Sequence, residues 1–301
     1  MTKNYEDEII RKLGCFYGFK QQQKTAFYLD FSDVKDLDLL GLLILYKLME
    51  YSVLNKCFFN PCLLNYEENR VIREKVTYFG FKYLMEELKN SKDPERQYKN
   101  LQINVSKEFI IAPMPLLKEA NSSDYLNNDY SRKIESYYKD EKVNAMIFTV
   151  FSEIFLNFWA HAVGDSKSII VAHGNLEYIE IACADSGEGI INSISNAYPT
   201  CKRKDALKMA LKKGVTSKKG SNHMGYGLWL INEIVTKTQS RLLLRSEEFC
   251  YENIAGKFRY QESPTWHGTI VYVKLILAKP ITIDDIEKDN KKLDNILINF
   301  K

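Results

Sequence analysis

The segment from Val143 to Ala162 constrains this chain more than any other: a long, nearly unbroken apolar stretch in which Glu153, Asn157 and His161 recur every four residues. At 3.6 residues per turn this spacing predicts a helix with the three polar side chains stacked on one stripe. Such an apolar helix needs a hydrophobic layer beneath it. Two strand patterns follow at once, Ser168–Val171 and Tyr178–Ala184, around a Gly174-Asn175 turn. The polar stripe must face water, a ligand or its own members. A half-exposed amphipathic helix explains it as readily as a site does, so the stripe alone decides nothing.

The elements around that helix read as strands alternating with helices, which predicts an α/β chain. In the first half, Ala26–Phe31 is a strand pattern, Leu37 to Tyr51 an apolar helix and Lys56–Asn60 a short strand closed by Pro61. Glu67 to Leu88 is a helical pattern carried by Val71, Ile72, Val76, Phe79, Phe81, Leu84 and Leu88. Polar breaks at Asn90–Asn100 and Asn121–Asp129 flank a strand at Phe109–Ala112, and the second leads into a helix. A long polar and basic loop follows Ala184, then a helix from Gly227 to about Thr236. Strands Arg241–Ser246 and Thr269–Leu277 enclose a hairpin-like excursion. This order predicts helices on one face of a mixed sheet.

The length, 301 residues, exceeds the roughly 250 at which single cores stop growing. A smaller α/β domain is expected over 1–110, a larger one over 111–280, and a helical tail over 281–301. The tail carries Leu293, Ile296, Leu297 and Phe300 on one face, suited to docking on its own core or on a second copy in a homodimer.

Composition narrows the class. With 45% apolar and 27% charged residues the balance is that of an ordinary globular protein. A net charge of +3 is too small to argue for nucleic acid or an anionic membrane. The six cysteines are scattered and form no CxxC pair, as expected of reduced thiols in a cytoplasmic protein. The start, MTKNYEDEII, is acidic where a signal peptide is basic then apolar. The longest apolar run, Leu39 to Tyr46, falls well short of the roughly 20 residues of a membrane span.

Three further motifs follow the helix in order. Asp185-Ser-Gly-Glu-Gly189 sits at the end of a strand, where a carboxylate can accept a bond from an amino group and glycines let a flat ring approach. Turns favour Asp and Gly in any case. Gly220-Ser-Asn-His-Met-Gly-Tyr-Gly-Leu228 opens a helix, and glycines there expose backbone N–H groups to an anion. Just upstream, Lys202 to Lys219 holds eight basic residues and one acid. Such a run is usually a solvated loop, but its place beside the glycine turn favours a polyphosphate. Last, His267-Gly-Thr269 opens the final strand, a signal that a plain turn would also give.

Together the four segments resemble the N, G1, G2 and Gly-Thr boxes of the GHKL (histidine kinase-like) ATPases over about residues 128 to 278. The resemblance implies an α+β two-layer sandwich that holds ATP and Mg²⁺ under a mobile lid. It implies Asn157 as the Mg²⁺ ligand, Glu153 as general base and Asp185 as the acceptor of the adenine amino group. Gly187 and Gly189 would shape the adenine pocket and Thr269 support it. Gly225, Tyr226, Gly227 and Leu228 belong to the phosphate-binding hinge of the lid, with Lys218 and Lys219 as lid lysines. The resemblance gives His161 a phosphate-binding or structural role. In the first half, Asp30-Phe-Ser-Asp-Val-Lys-Asp-Leu-Asp-Leu-Leu-Gly41 resembles the STAS pattern, matching at Asp38 and Gly41. Leu39 and Leu40 stand where antagonist proteins of that family carry a phosphorylated serine, so this half is expected to dock partners and not to accept phosphate.

Absences sort the branches. All four histidines, His161, His173, His223 and His267, lie inside the ATPase region, which disfavours a histidine autokinase. About thirty residues follow Thr269, too few for the transducer domain of gyrase-like clamps, given that domains run to about 50 residues or more. Two readings stand: a Ser/Thr protein kinase or ATPase similar to the anti-sigma factor kinases, or a non-catalytic ATP-gated module that presents a surface to a STAS-type or other signalling partner. Hydrolysis within a larger assembly is a third. No membrane or nucleic-acid partner is expected.

Overall fold

The computed structural model describes residues 5–14, 28–54, 62–90, 109–116, 130–161, 168–218 and 225–288. The tail residues 289–301, the strand expected at Lys56–Asn60 and the break at Asn121–Asp129 lie outside them.

A five-stranded sheet organises the molecule. Its strands are β3 (Phe109–Leu116), β4 (Ser168–Gly174), β5 (Tyr178–Ala184), β6 (Arg241–Ile254) and β7 (Lys257–Ile276), in the order β3-β4-β5-β7-β6. Every pairing is antiparallel, so the expected mixed sheet is corrected. The sheet buries both faces, which is why its strands read as continuous apolar runs. Alternation divides those runs: Ile170, Ala172, Ile181, Cys183, Leu242, Leu244, Val271 and Val273 enter one core. Ile169, Val171, Ala182, Ala184, Leu243, Ile270 and Tyr272 enter another.

On the first face lie α5 (Ser131–Tyr137), α6 (Glu141–His161), α7 (Gly189–Ala197), α8 (Ala206–Ala210) and α9 (Gly227–Lys237). On the second lie α1 (Tyr5–Leu13), α2 (Leu39–Leu54), α3 (Arg70–Tyr78) and α4 (Phe81–Asn90). Helices therefore cover both faces, not one, and the expected two-layer arrangement is corrected to three layers. The stretch read as a first domain shares its core with the sheet of the second. Ala182 and Ala184 are small on the side where α2 packs, which lets that helix approach closely. From Leu39 to Glu50 every residue of α2 is buried, as a helix that is apolar all round requires. Each such leucine stabilises the fold by about 2 kcal/mol. Asp38 caps α2, accepting from the Gly41 N–H at 2.7 Å. Strands β1 (Tyr28–Asp30) and β2 (Cys62–Leu64) flank α2 as a parallel pair.

Local differences from the sequence pattern have physical causes. The single helix expected over Glu67–Leu88 breaks into α3 and α4 because Gly80 turns the chain at φ 78°. The strand at Phe109–Ala112 continues through Pro113 and Pro115 to Leu116. It is an edge strand, and its register shifts between Ile111 and Met114, where a missing N–H is tolerated. The loop expected between Ala184 and Gly227 contains α7, α8 and a 3₁₀ turn at Arg203–Asp205. Ile191, Ile194, Ala206, Leu207 and Ala210 bury there while Lys202, Lys204 and Lys208 stay exposed, so the charges mask the apolar spacing. The excursion between the last two strands is one long hairpin, β6–β7, turning at Ala255 and Gly256. Among the described residues no helix is long and apolar enough to cross a membrane.

Candidate functional site

A cavity of about 510 Å³ opens on the first face of the sheet, between α6, α7 and α9. Its wall includes Glu153, Asn157, Asp185, Gly189, Gly225, Tyr226, Gly227, Leu228 and Thr269. The motifs named from the sequence, separated by more than a hundred residues, thus converge on one concave space. Apolar side chains from α6, α7, α9 and β7, among them Leu156, Ile194, Leu230 and Val271, line the rest.

At one end stands Asp185, where β5 leaves the sheet, only 6% exposed. Its Oδ1 accepts from the Gly187 N–H at 2.8 Å and the Thr269 N–H at 3.1 Å. Its own N–H donates to the Thr269 carbonyl at 3.0 Å, and the Trp266 indole donates to the Asp185 carbonyl at 3.1 Å. Gly187 thus works as a donor behind the carboxylate and not as wall. Thr269 holds Asp185 through its backbone. The carboxylate is oriented by fixed N–H groups, an arrangement that can present its remaining oxygen to a donor in the cavity.

At the other end Glu153 and Asn157 project from α6 one turn apart, against the first turn of α9. A Cβ on Gly227 would collide with the Glu153 Oε2 and lie 3.1 Å from the Asn157 Nδ2, so only glycine lets these two side chains fill that space. Burial pushes the Glu153 carboxyl above its ordinary value. Among the described residues Glu153 has no hydrogen bond or ion pair. The Asn157 Nδ2 is buried without a partner. A buried amide donor left unpaired is costly. Rotation of the amide would offer its oxygen to the same space. These orphaned groups, beside the positive end of α9, suit an anion with an associated cation. Among the described residues no cluster of three or more His, Cys, Asp or Glu side chains could hold a metal. A Mg²⁺ ion that takes one side-chain oxygen plus phosphate and water oxygens needs none.

Among the described residues of the basic loop one lysine, Lys213, enters the wall, and no local feature of the sequence sets it apart from its neighbours. Lys218 is half-buried but not part of the wall. Its N–H donates to the Thr216 Oγ1 at 3.1 Å. Lys219 and the side chain of His161 lie outside the described residues. A second unforeseen contribution comes from residues 283–288, a helical turn capped by reciprocal bonds between Thr282 and Asp285. It places Ile283, Ile286 and Glu287 in the wall. Comparisons with protein-family models, with curated proteins and with solved structures find no match to this chain.

Proposed function

We propose that this cavity binds ATP with Mg²⁺ in the manner of the GHKL ATPases, and that the protein regulates a protein partner as an ATPase or Ser/Thr kinase. The observation that carries the reading is the pairing of two unlike ends in one cavity. An oriented, buried carboxylate stands at Asp185, and an amide and a carboxylate without partners among the described residues, Asn157 and Glu153, stand against a helix N-terminus.

At the first end the adenine amino group donates to Asp185, and the ring lies between apolar walls formed by Ile194 and Val271. At the second the backbone around Gly225 and Gly227 and the positive end of α9 receive phosphate oxygens. The Asn157 amide oxygen would hold Mg²⁺, which supplies charge neutralisation at the phosphates when bound. Glu153 suits the general base. Desolvation raises its affinity for a proton toward the working range, and among the described residues no neighbour competes for its oxygens. It takes the proton of an attacking water or partner hydroxyl. The new P–O bond forms as the bond to the bridging oxygen breaks, and the electron pair leaves with ADP.

Calorimetric titration with ATP, with and without Mg²⁺, tests the binding. The wild type should bind, and Asn157→Ala should weaken Mg²⁺-dependent binding at least about tenfold, the value of roughly one good contact. No heat of binding under any condition would sink the reading. Release of labelled phosphate, or transfer of label from γ-labelled ATP to a protein, would establish turnover. Binding with neither outcome would make ATP a conformational ligand only.

A further inference from the structure

We propose that Lys213 reads the terminal phosphate of the nucleotide and leaves an aromatic seat to do so, which makes it the residue that separates ATP from ADP. This rests on the nucleotide reading of the cavity.

The Lys213 ammonium lies 4.7 Å from the ring centre of Trp229 and 5.5 Å from that of Tyr226. The two rings meet edge to face at 6.1 Å. Among the described residues it forms no ion pair with a carboxylate, and it rests on the two aromatic faces. Both rings belong to the start of α9, on either side of Gly227, the residue pressed against Glu153 and Asn157. Lys213 therefore lines the cavity where the first turn of α9 meets Glu153 and Asn157. A nucleotide whose base is held at Asp185 brings its last phosphate, not its first, to that place.

The position of the lysine is fixed by backbone. The Gly214 N–H donates to the Gly225 carbonyl at 3.0 Å, closing the stem of the basic loop immediately after Lys213. Lys218 follows two wall residues, Thr216 and Ser217, but is not itself part of the wall. Lys212, exposed like Lys213, is not part of the wall either. A cation on aromatic faces is held weakly and without direction, whereas its bond to a phosphate oxygen is charge-assisted and stronger. A terminal phosphate therefore draws the ammonium off the rings. ADP ends one phosphate short and leaves it seated.

The test is the affinity for ATP and for ADP of the wild type, Lys213→Met, Lys213→Arg and Lys212→Met, with the Trp229 emission, taken as the difference from a Trp229→Phe variant of each, followed during titration. Lys213→Met should lose ATP affinity about 10- to 100-fold and ADP affinity by less than about threefold. Lys213→Arg should keep most of the preference and Lys212→Met all of it. In the wild type ATP, but not ADP, should change the indole emission, and Lys213→Met should abolish that difference. Equal losses for both nucleotides, or no loss, would overturn the role of Lys213 while leaving the cavity a nucleotide site. A wild type that binds neither nucleotide would overturn both.

Discussion

Glu180 and Glu153 are both largely buried carboxylates on opposite sides of one sheet, and their surroundings push them in opposite directions. Glu180 lies on the face covered by α2 and α3. Burial alone would raise its carboxyl, but His173, the charge of Lys274 and the Tyr272 hydroxyl outweigh that and lower it. Tyr272 and Lys274 reach Glu180 Oε1 at 2.9 and 3.1 Å, and Tyr78 of α3 joins the group through His173 at 2.9 Å. Glu153 lies on the face with the cavity, where burial acts unopposed and the carboxyl is raised. The same contrast runs through other groups. On the closed face Lys47 pairs with Glu50 at 2.5 Å and Arg245 with Asp7; on the open face the Asn157 amide nitrogen has no partner among the described residues. The fold pairs its buried charges on the closed side of the sheet, although one donor there, the Arg245 Nε, is also without a hydrogen-bond partner among the described residues. Where it leaves them unsatisfied in a concave space, something outside the chain is expected to satisfy them.

The strongest test of that division is at Lys47, whose side chain is 0% exposed. Lys47→Met leaves the Glu50 charge buried without its countercharge and should cost about 3–5 kcal/mol in urea unfolding. The double variant Lys47→Met/Glu50→Leu should recover most of it, because an apolar pair of similar volume removes the need for pairing. A single variant that loses less than about 1 kcal/mol would mean that water reaches this pair, and the closed face would not be closed. A smaller loss is expected for Glu180→Gln, about 1–2 kcal/mol at pH 7, since a neutral amide weakens its charge-assisted bonds. Because the native carboxyl is lowered, its contribution is present above the ordinary value of 4.5 and disappears as pH falls through the folded value. The deficit of the variant should disappear at low pH with it.

Much of the open face was legible in the sequence because its groups sit at fixed intervals on long regular elements. Glu153 and Asn157 share a stripe of α6 whatever the rest of the chain does, and Asp185 must leave the sheet where the apolar run of β5 stops. The convergence of Asp185 and Thr269 was expected from the family resemblance. The geometry has its own cause, the pairing of Ala184 with Ile270 that places the two strand ends side by side. The layer of helices on the second face was not foreseen, although the unbroken run Ile169–Ala172 carried the signal of a strand buried on both sides. Lys213 had no local signal at all. Which of eight basic residues faces the cavity depends on the Gly214–Gly225 stem and on rings more than ten residues away. The helices α7 and α8 were hidden because a few buried apolar positions were enough to fix them among many exposed charges.

The smallest effect is the sharpest, because its sign differs. Glu153 takes up a proton more readily in the fold than in the unfolded chain, so folding is disfavoured once pH rises above the ordinary 4.5 and the carboxyl must ionise in its buried place. Glu153→Gln removes that penalty. The variant should therefore equal or exceed the wild type in stability at pH 7, and the gain should vanish as pH falls below 4.5, where both unfolded and folded carboxyls are protonated. Glu180→Gln runs the other way across the same range. Chemical denaturation of the two variants at pH 4, 5.5 and 7 reads both signs in one experiment. If Glu153→Gln instead destabilises at neutral pH as Glu180→Gln does, then Glu153 has a partner within the folded chain. The two faces would then bury their carboxylates on equal terms, and Asn157 alone would remain as the unsatisfied group calling for an external ligand. If it stabilises while ATP turnover disappears, the strain at Glu153 is tied to the chemistry and not to the fold.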